Sequence, residues 1–191
     1  KLPREMLLKH LRDIGFSVSD KMTDRQLTAF NAQAWDQSMT WDVFAWLRSI
    51  TKLPLLIKGV LRKEDAKRAV SLGLDGIIVS NHGGRRLDGM PASIEMLPEI
   101  VAAVGNDMEV YMDGGIRRGT DVLKALSLGA RAVLIGRPYA WALAAGGERG
   151  VRQALGLLRD ELTNAMIATG CAKLGDATPS LLMDWKRPRA D

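Results

Sequence analysis

The sequence predicts an α/β fold assembled from repeated strand–helix units, of the kind that build a (β/α)8 barrel or half of one. Three observations carry that prediction. Four short apolar runs read as strands buried on both faces, as in a parallel sheet: 53–58 (LPLLIK), 76–80 (GIIVS), 108–113 (MEVYMD) and 132–136 (AVLIG). Helical stretches separate them, at 63–72 stopped by Gly73, 97–104 closed by Gly105, and 120–128 stopped by Gly129, with a longer one inside 150–170. Finally, residues 69–80 (AVSLGLDGIIVS) echo residues 125–136 (ALSLGARAVLIG). The register extends upstream, setting Gly59 against Gly115, Asp65 against Asp121 and Ala69 against Ala125. A repeated βα unit is the signature of barrel architecture.

Length then limits the barrel. A closed barrel of this type needs about 250 residues, and the 191 here supply four clear strands. Four parallel strands cannot close a barrel, and an open sheet would leave two unprotected edges. Half of the barrel is therefore expected to lie outside this chain, which begins with Lys1 rather than Met, as a processed product or part of one would.

The first fifty residues lack a strand pattern. Leu7, Leu8, Leu11 and Ile14 fall at helical spacing between Pro3 and Gly15, and a second helix is expected from about Thr40 to Ile50, carrying Trp41, Phe44 and Trp46. The first helix is weakly basic and amphipathic, which leaves contact with anionic lipid open beside ordinary packing on its own protein. The expected organisation is a helical segment at 1–50, the half-barrel at 51–175 and a tail at 176–191.

Composition excludes several classes. With 47% hydrophobic and 26% charged residues, 19 Gly and 7 Pro, the chain is neither collagen-like nor disordered. A single cysteine, Cys171, rules out an internal disulfide framework and a cysteine-based zinc cage, so a reducing compartment is expected. The 27 basic and 22 acidic residues are interleaved, which points to a local anion site rather than a nucleic-acid stripe.

The chemistry is expected where strands end, because residues just past the carboxyl ends of barrel strands line the active-site face. After the second run come Ser80, Asn81, His82, Gly83, Gly84 and Arg85. Histidine is the natural general base near neutral pH, and arginine grips a carboxylate bidentately. Together they suggest a substrate carrying an acid group next to the bond being broken. The ordinary alternative, a loop histidine satisfying a backbone carbonyl, is how His10 reads. Lys58 closes the first run and would face the same mouth, beside developing negative charge or snorkelling to water. The third run leads into Asp113, Gly114, Gly115, Ile116 and Arg117, and the fourth into Gly136 and Arg137. Glycine amides, a helix N-terminus and arginine forks at two successive strand ends suit a phosphate. Asp113 could accept hydrogen bonds from sugar-like hydroxyls.

These segments resemble the FMN-dependent 2-hydroxy-acid dehydrogenase and oxidase family, which includes glycolate oxidase, L-lactate dehydrogenase and mandelate dehydrogenase. The resemblance covers about residues 38–175 and rests on LPLLIKGV, GIIVSNHGGRRLDG, DGGIRRGTDVLKALSLGA and VLIGRP. It implies that the chain is the C-terminal half of a TIM barrel, strands five to eight, with FMN as cofactor and a lactate-like L-2-hydroxy acid as substrate. It further implies that His82 is the base and Arg85 the carboxylate anchor. Lys58 would lie near the flavin ring, Ser80 would be a further flavin contact, Asp113 to Arg117 would hold ribityl and phosphate, and Gly136 with Arg137 would clamp the phosphate. Arg86 stands where many relatives have glutamine. The family's first-half residues are not in this chain, so the isolated polypeptide is not expected to be competent. Oligomerisation, typically as a tetramer, and a cytoplasmic location with peripheral contact at the inner face of the cell membrane left open, are implied likewise.

Two other classes compete. A flavin-dependent isomerase or a nucleotide dehydrogenase of the inosine-monophosphate type would share the glycine–arginine loops. The first need not carry His82 and Arg85, and the second uses a loop cysteine, whereas Cys171 follows the last helix. A non-enzymatic half-barrel binding a phosphate ligand would be colourless.

Overall fold

The computed structural model describes residues 4–183 apart from positions 14, 34, 35 and 37. Of the expected first helix, Pro3 and Ile14 and the side chains of Leu7 and His10 lie outside the described residues. The chain divides into two compact units, one up to Trp46 and one from Leu47 onward.

The first unit contains α1 (Arg4–Asp13) and α2 (Asp24–Gln33). Leu8 and Leu11 lie one helical turn apart and are buried with Val18 and Leu27, with Met22 and Phe30 packed against them. Phe30 meets Phe16 edge-on at 5.5 Å. Apolar residues of α1 are thus consumed in packing within the unit. The α2 segment has no counterpart in the sequence prediction. No helix among the described residues is long and apolar enough to cross a membrane. A third helix, α3 (Val43–Ile50), follows.

In the second unit the order is β1 (Leu56–Val60), α4 (Lys63–Ser71), β2 (Gly76–Val79), α5 (Ser93–Val104), β3 (Glu109–Asp113), α6 (Gly119–Ser127), β4 (Ala132–Leu134) and α7 (Arg137–Thr169). The strands form one parallel sheet in the order β1-β2-β3-β4. Side chains alternate across it. Ile57, Ile77 and Val110 share one row, and Val79 and Met112 another. Ile77, Val79, Val110 and Met112 are buried, as are Ala66 and Ala69 of α4, Leu97 and Ile100 of α5, and Leu123 and Ala125 of α6. The other face carries the row Lys58, Ile78 and Tyr111.

Three boundaries differ from the sequence reading. The first strand runs from Leu56 to Val60, so Lys58 sits within it rather than closing it. The reason is a bulge: Lys58 pairs with Ile78 and Val60 with Val79, leaving Gly59 unpaired at φ +99°. That extra residue lets Val60 turn into the core, 3% exposed, while Lys58 keeps to the open face. Helix α5 starts at Ser93, four residues earlier than expected, because Glu95 accepts the Ala92 N–H at 3.0 Å and caps the end despite Pro98. The last helical stretch begins at Arg137, directly after β4, and breaks at Gly146 and Gly147, where φ/ψ leave the helical region. Two helices, 137–145 and 148–169, therefore follow where one was expected.

Candidate active site

The predicted site residues come from the strand ends and the turns after them, apart from Lys58, which lies within β1. Lys58 comes from β1, Ser80 and the turn His82–Gly84 from the end of β2, Asp113 to Arg117 from the end of β3, and Gly136 and Arg137 from the end of β4. All except Ser80 line one hollow of about 450 Å³. His82 and Arg137, 55 positions apart by their numbers 82 and 137, thus share a cavity.

Ser80 lies beneath that lining, 2% exposed. Its Oγ accepts hydrogen bonds from Lys58 Nζ at 2.8 Å and from the His82 backbone N–H at 3.0 Å. Lys58 also pairs with Asp113 Oδ2 at 2.7 Å. The other carboxylate oxygen of Asp113, Oδ1, is buried without a hydrogen-bond partner. Asp113, whose side chain is the more buried of the two, gives the Lys58 ammonium an anionic partner.

The β2 loop is tightly wound. His82, Gly83 and Gly84 have φ of +56°, +66° and +71° in succession, and Gly84 N–H closes the turn on the Asn81 carbonyl at 3.0 Å. Two glycines adopt this backbone freely, whereas a histidine is strained there by about 1–2 kcal/mol. Strain of this kind concentrates at functional positions. Two residues that the sequence reading did not assign hold the loop. Asn81 donates its side-chain amide to the Pro91 carbonyl at 3.1 Å and its backbone N–H to Ser93 Oγ at 3.2 Å. Gly83 offers its carbonyl to the Arg137 guanidinium, and a Cβ at Gly83 would sit 3.1 Å from that group. Alternating loop signals in NHGG hinted at a turn, but not at its partners.

After β3, Gly114 and Gly115 turn the chain with φ of +92° and +78° and line the same hollow as Arg117 and Arg137. The Arg117 guanidinium lies 5.9 Å from the ring centre of Trp141. The expected helix N-terminus is differently used. The N–H groups of Arg117 and Arg118 at the start of α6 both donate to Asp121 Oδ2 at 3.0 Å, and that of Gly119 donates to Glu161 Oε2 at 2.9 Å. These amides are satisfied inside the protein and do not contribute to anion binding. The helix that starts in the hollow is 137–145, whose first residues Arg137, Pro138 and Tyr139 line it. Leu134, Ile135, Tyr139 and Ala140 complete the wall, and none was predicted.

The arrangement brings into one hollow an imidazole and an arginine on one loop, a lysine paired with Asp113, and two more arginines beside a pair of glycines. One of these arginines, Arg137, is tied to the histidine loop at Gly83. A small acid beside a larger phosphorylated ligand would satisfy such a donor set.

Comparison with known proteins points the same way. A family model described as FMN-dependent dehydrogenase matches residues 3–184. The chain is 52% identical over 174 residues to the 2-hydroxyacid oxidase 1 of Mus musculus, covering 90% of this chain and 47% of that protein. It is 50% identical over 182 residues to an L-lactate oxidase of Nostoc, covering 95% and 50% respectively. A crystal structure of mandelate oxidase with (S)-4-hydroxymandelic acid superimposes with a TM-score of 0.76 at 53% identity, over 80% of this chain and 43% of that one. The chain spans about half the length of the curated relatives it matches.

Proposed function

The chain belongs to the FMN-dependent dehydrogenase family, and from that premise we propose that it forms the FMN-holding, base-bearing half of a TIM barrel that oxidises a small L-2-hydroxy acid to the 2-oxo acid. The observation that carries this reading is the convergence of His82, Arg85, Lys58, Arg117 and Arg137 on one hollow.

The residues fit the cofactor. Asp113 Oδ1 is a buried acceptor lacking a donor, which a ribityl hydroxyl would supply. Arg117, Arg137 and the Gly114–Gly115 turn form an anion-binding end suited to the phosphate. Lys58 presents a positive charge to the same hollow, anchored by Asp113 and Ser80. Bound FMN would supply the two-electron acceptor. The protein's own part is electrostatic and positional. Arg85 grips the substrate carboxylate, so C2 lies beside the loop bearing His82. His82 takes up the substrate's proton as two electrons leave C2. Lys58 offsets the negative charge that this transfer brings into the hollow, a preorganised interaction worth most where water is excluded. The relatives are named for 2-hydroxy acids and lactate, which supports a substrate of that class.

The test is cofactor selectivity. The purified chain is expected to retain FMN at least ten-fold more tightly than riboflavin, which lacks the phosphate, and Arg137→Ala should remove most of that preference, as loss of a charge-assisted bond of about 1.5–3 kcal/mol implies. Equal affinity for the two flavins would overturn the phosphate assignment. In the barrel completed by its other half, the yellow flavin band should bleach on adding lactate, glycolate or mandelate.

A further inference from the structure

His82 poses a physical problem that its proposed role does not solve. It is the one non-glycine residue at positive φ among the described residues, a conformation that histidine enters more readily than most side chains but that remains uncommon for it. Something must hold it. The residue two positions earlier does so: Ser80 Oγ receives the His82 N–H, the bond by which a serine stabilises a turn in its own backbone. Most such serines sit at the surface, where water competes for the hydroxyl. Ser80 is 2% exposed at the end of a buried strand, so no water competes.

The same oxygen is bound by Lys58 from the neighbouring strand. An ammonium and a backbone amide can only donate, so Ser80 uses both lone pairs as acceptor. Lys58 is in turn tied to Asp113 on the third strand. Asp113, Lys58, Ser80 and the His82 backbone therefore form one connected chain across three strand ends.

We infer that Ser80 is a positioning residue, whose hydroxyl oxygen holds His82 in its left-handed backbone conformation and locks it to the Lys58 ammonium. The imidazole and the ammonium are then presented to the hollow as one rigid pair rather than by two independent side chains. This rests on the reading of His82 as the base, but it concerns the chain's own geometry and can be tested without flavin or turnover.

The chain holds two histidines, His10 and His82, so the imidazole resonances in a nuclear magnetic resonance spectrum reduce to two sets. In Ser80→Ala, the His82 imidazole resonances should move while those of His10 stay, and exchange of the His82 backbone amide should accelerate about ten-fold, the consequence of losing one buried hydrogen bond. Ser80→Thr, which keeps the hydroxyl, should restore both. A folded Ser80→Ala protein with His82 signals unchanged would overturn the inference. If Ser80→Ala does not fold, the double variant Ser80→Ala/His82→Gly decides. Glycine tolerates the left-handed backbone without help, so recovery of the fold supports the inference and failure to recover overturns it. A chain that binds no FMN but shows these shifts would defeat the functional reading and leave the positioning role standing. FMN binding with His82 unmoved would do the opposite.

Discussion

The β1-α4-β2 and β3-α6-β4 segments are the same object built twice, and they do different work. Both helices start from extended arginines, Arg62 at φ −120° and Arg118 at φ −131°. Both end on a leucine followed by a glycine at positive φ, and the closing hydrogen bonds repeat. Gly73 N–H to the Val70 carbonyl and Gly129 N–H to the Leu126 carbonyl are each 2.9 Å, and Leu74 to Ala69 at 3.1 Å matches Ala130 to Ala125 at 3.0 Å. Ala69 and Ala125 are both 0% exposed. The differences fall at the strand mouths. Where the first segment has Lys58, Ser80 and Asn81, the second has Gly114, Gly136 and Arg137. On the proposed reading, one copy presents side chains for proton and charge, and the other bares backbone and arginine for an anion. The scaffold positions repeat because caps and core dictate them, whereas the mouth positions lie outside the helix caps and the helix–sheet core and are free to diverge.

The largest expected contrast separates the two mouths. In the completed enzyme, His82→Ala should lower turnover by about 10²–10⁴-fold with flavin content unchanged, while Arg137→Ala should strip flavin, lowering turnover per enzyme far more than turnover per bound flavin. Steady-state kinetics beside flavin absorbance measures both, and full turnover in His82→Ala would remove the base assignment.

Next is an asymmetry in helix packing. Gly119 corresponds to Lys63, yet a Cβ on Gly119 would fall 2.0 Å from the Leu162 backbone nitrogen, whereas Lys63 is exposed and paired with Glu99. Gly119→Ala should therefore cost about 3 kcal/mol or more by forcing α6 off the 148–169 helix. Lys63→Ala should stay within about 1 kcal/mol. Urea unfolding compares the two, and near-equal costs would mean that the α6–α7 seam is loose.

The helix-ending glycines give a finer comparison. Both sit at positive φ, so alanine is strained at either. An added Cβ meets nothing at Gly73 but comes within 2.7 Å of Val101 at Gly129. Gly129→Ala should exceed Gly73→Ala by about 1–2 kcal/mol in the same unfolding measurement.

The smallest effect concerns the residues before the second strand of each copy, Asp75 and Arg131. Asp75 accepts a bond from the Arg48 guanidinium at 2.8 Å and another from the Leu55 N–H at 2.7 Å, and these hold its carboxyl below the usual carboxylate range. A depressed pKa contributes stability at neutral pH that is lost as pH falls through the folded value. Asp75→Asn should therefore lower the urea midpoint slightly at pH 7, and the gap from the parent protein should shrink as pH falls below the ordinary carboxylate range. A gap that does not depend on pH would mean that the pair contributes no charge stabilisation.

Much of this was legible in the residues. Four strands, their parallel arrangement, the repeated unit and the ten of eleven predicted site positions found lining the hollow follow from apolar runs, stop signals and strand-end glycines and arginines. Other features were hidden because they depend on distant neighbours. The bulge at Gly59, which lets Lys58 and Val60 face opposite ways, is set by pairing with β2. The Asp121 cap of α6 is local, but the diversion of the Gly119 amide onto Glu161 required knowing where the last helix packs. Ser80 read as one more flavin contact, since nothing in SNHGG shows that its hydroxyl is buried between a lysine and a histidine amide.

Periodicity and backbone chemistry are local, so the chain by itself settled which segments are strands, where helices stop and which residue types stand at each mouth. Hydrogen bonds between strand ends are not local. That Asp113, Lys58, Ser80 and His82 join into one chain, and that Arg137 reaches back to Gly83, was decided only when the sheet brought positions tens of residues apart within about 3 Å.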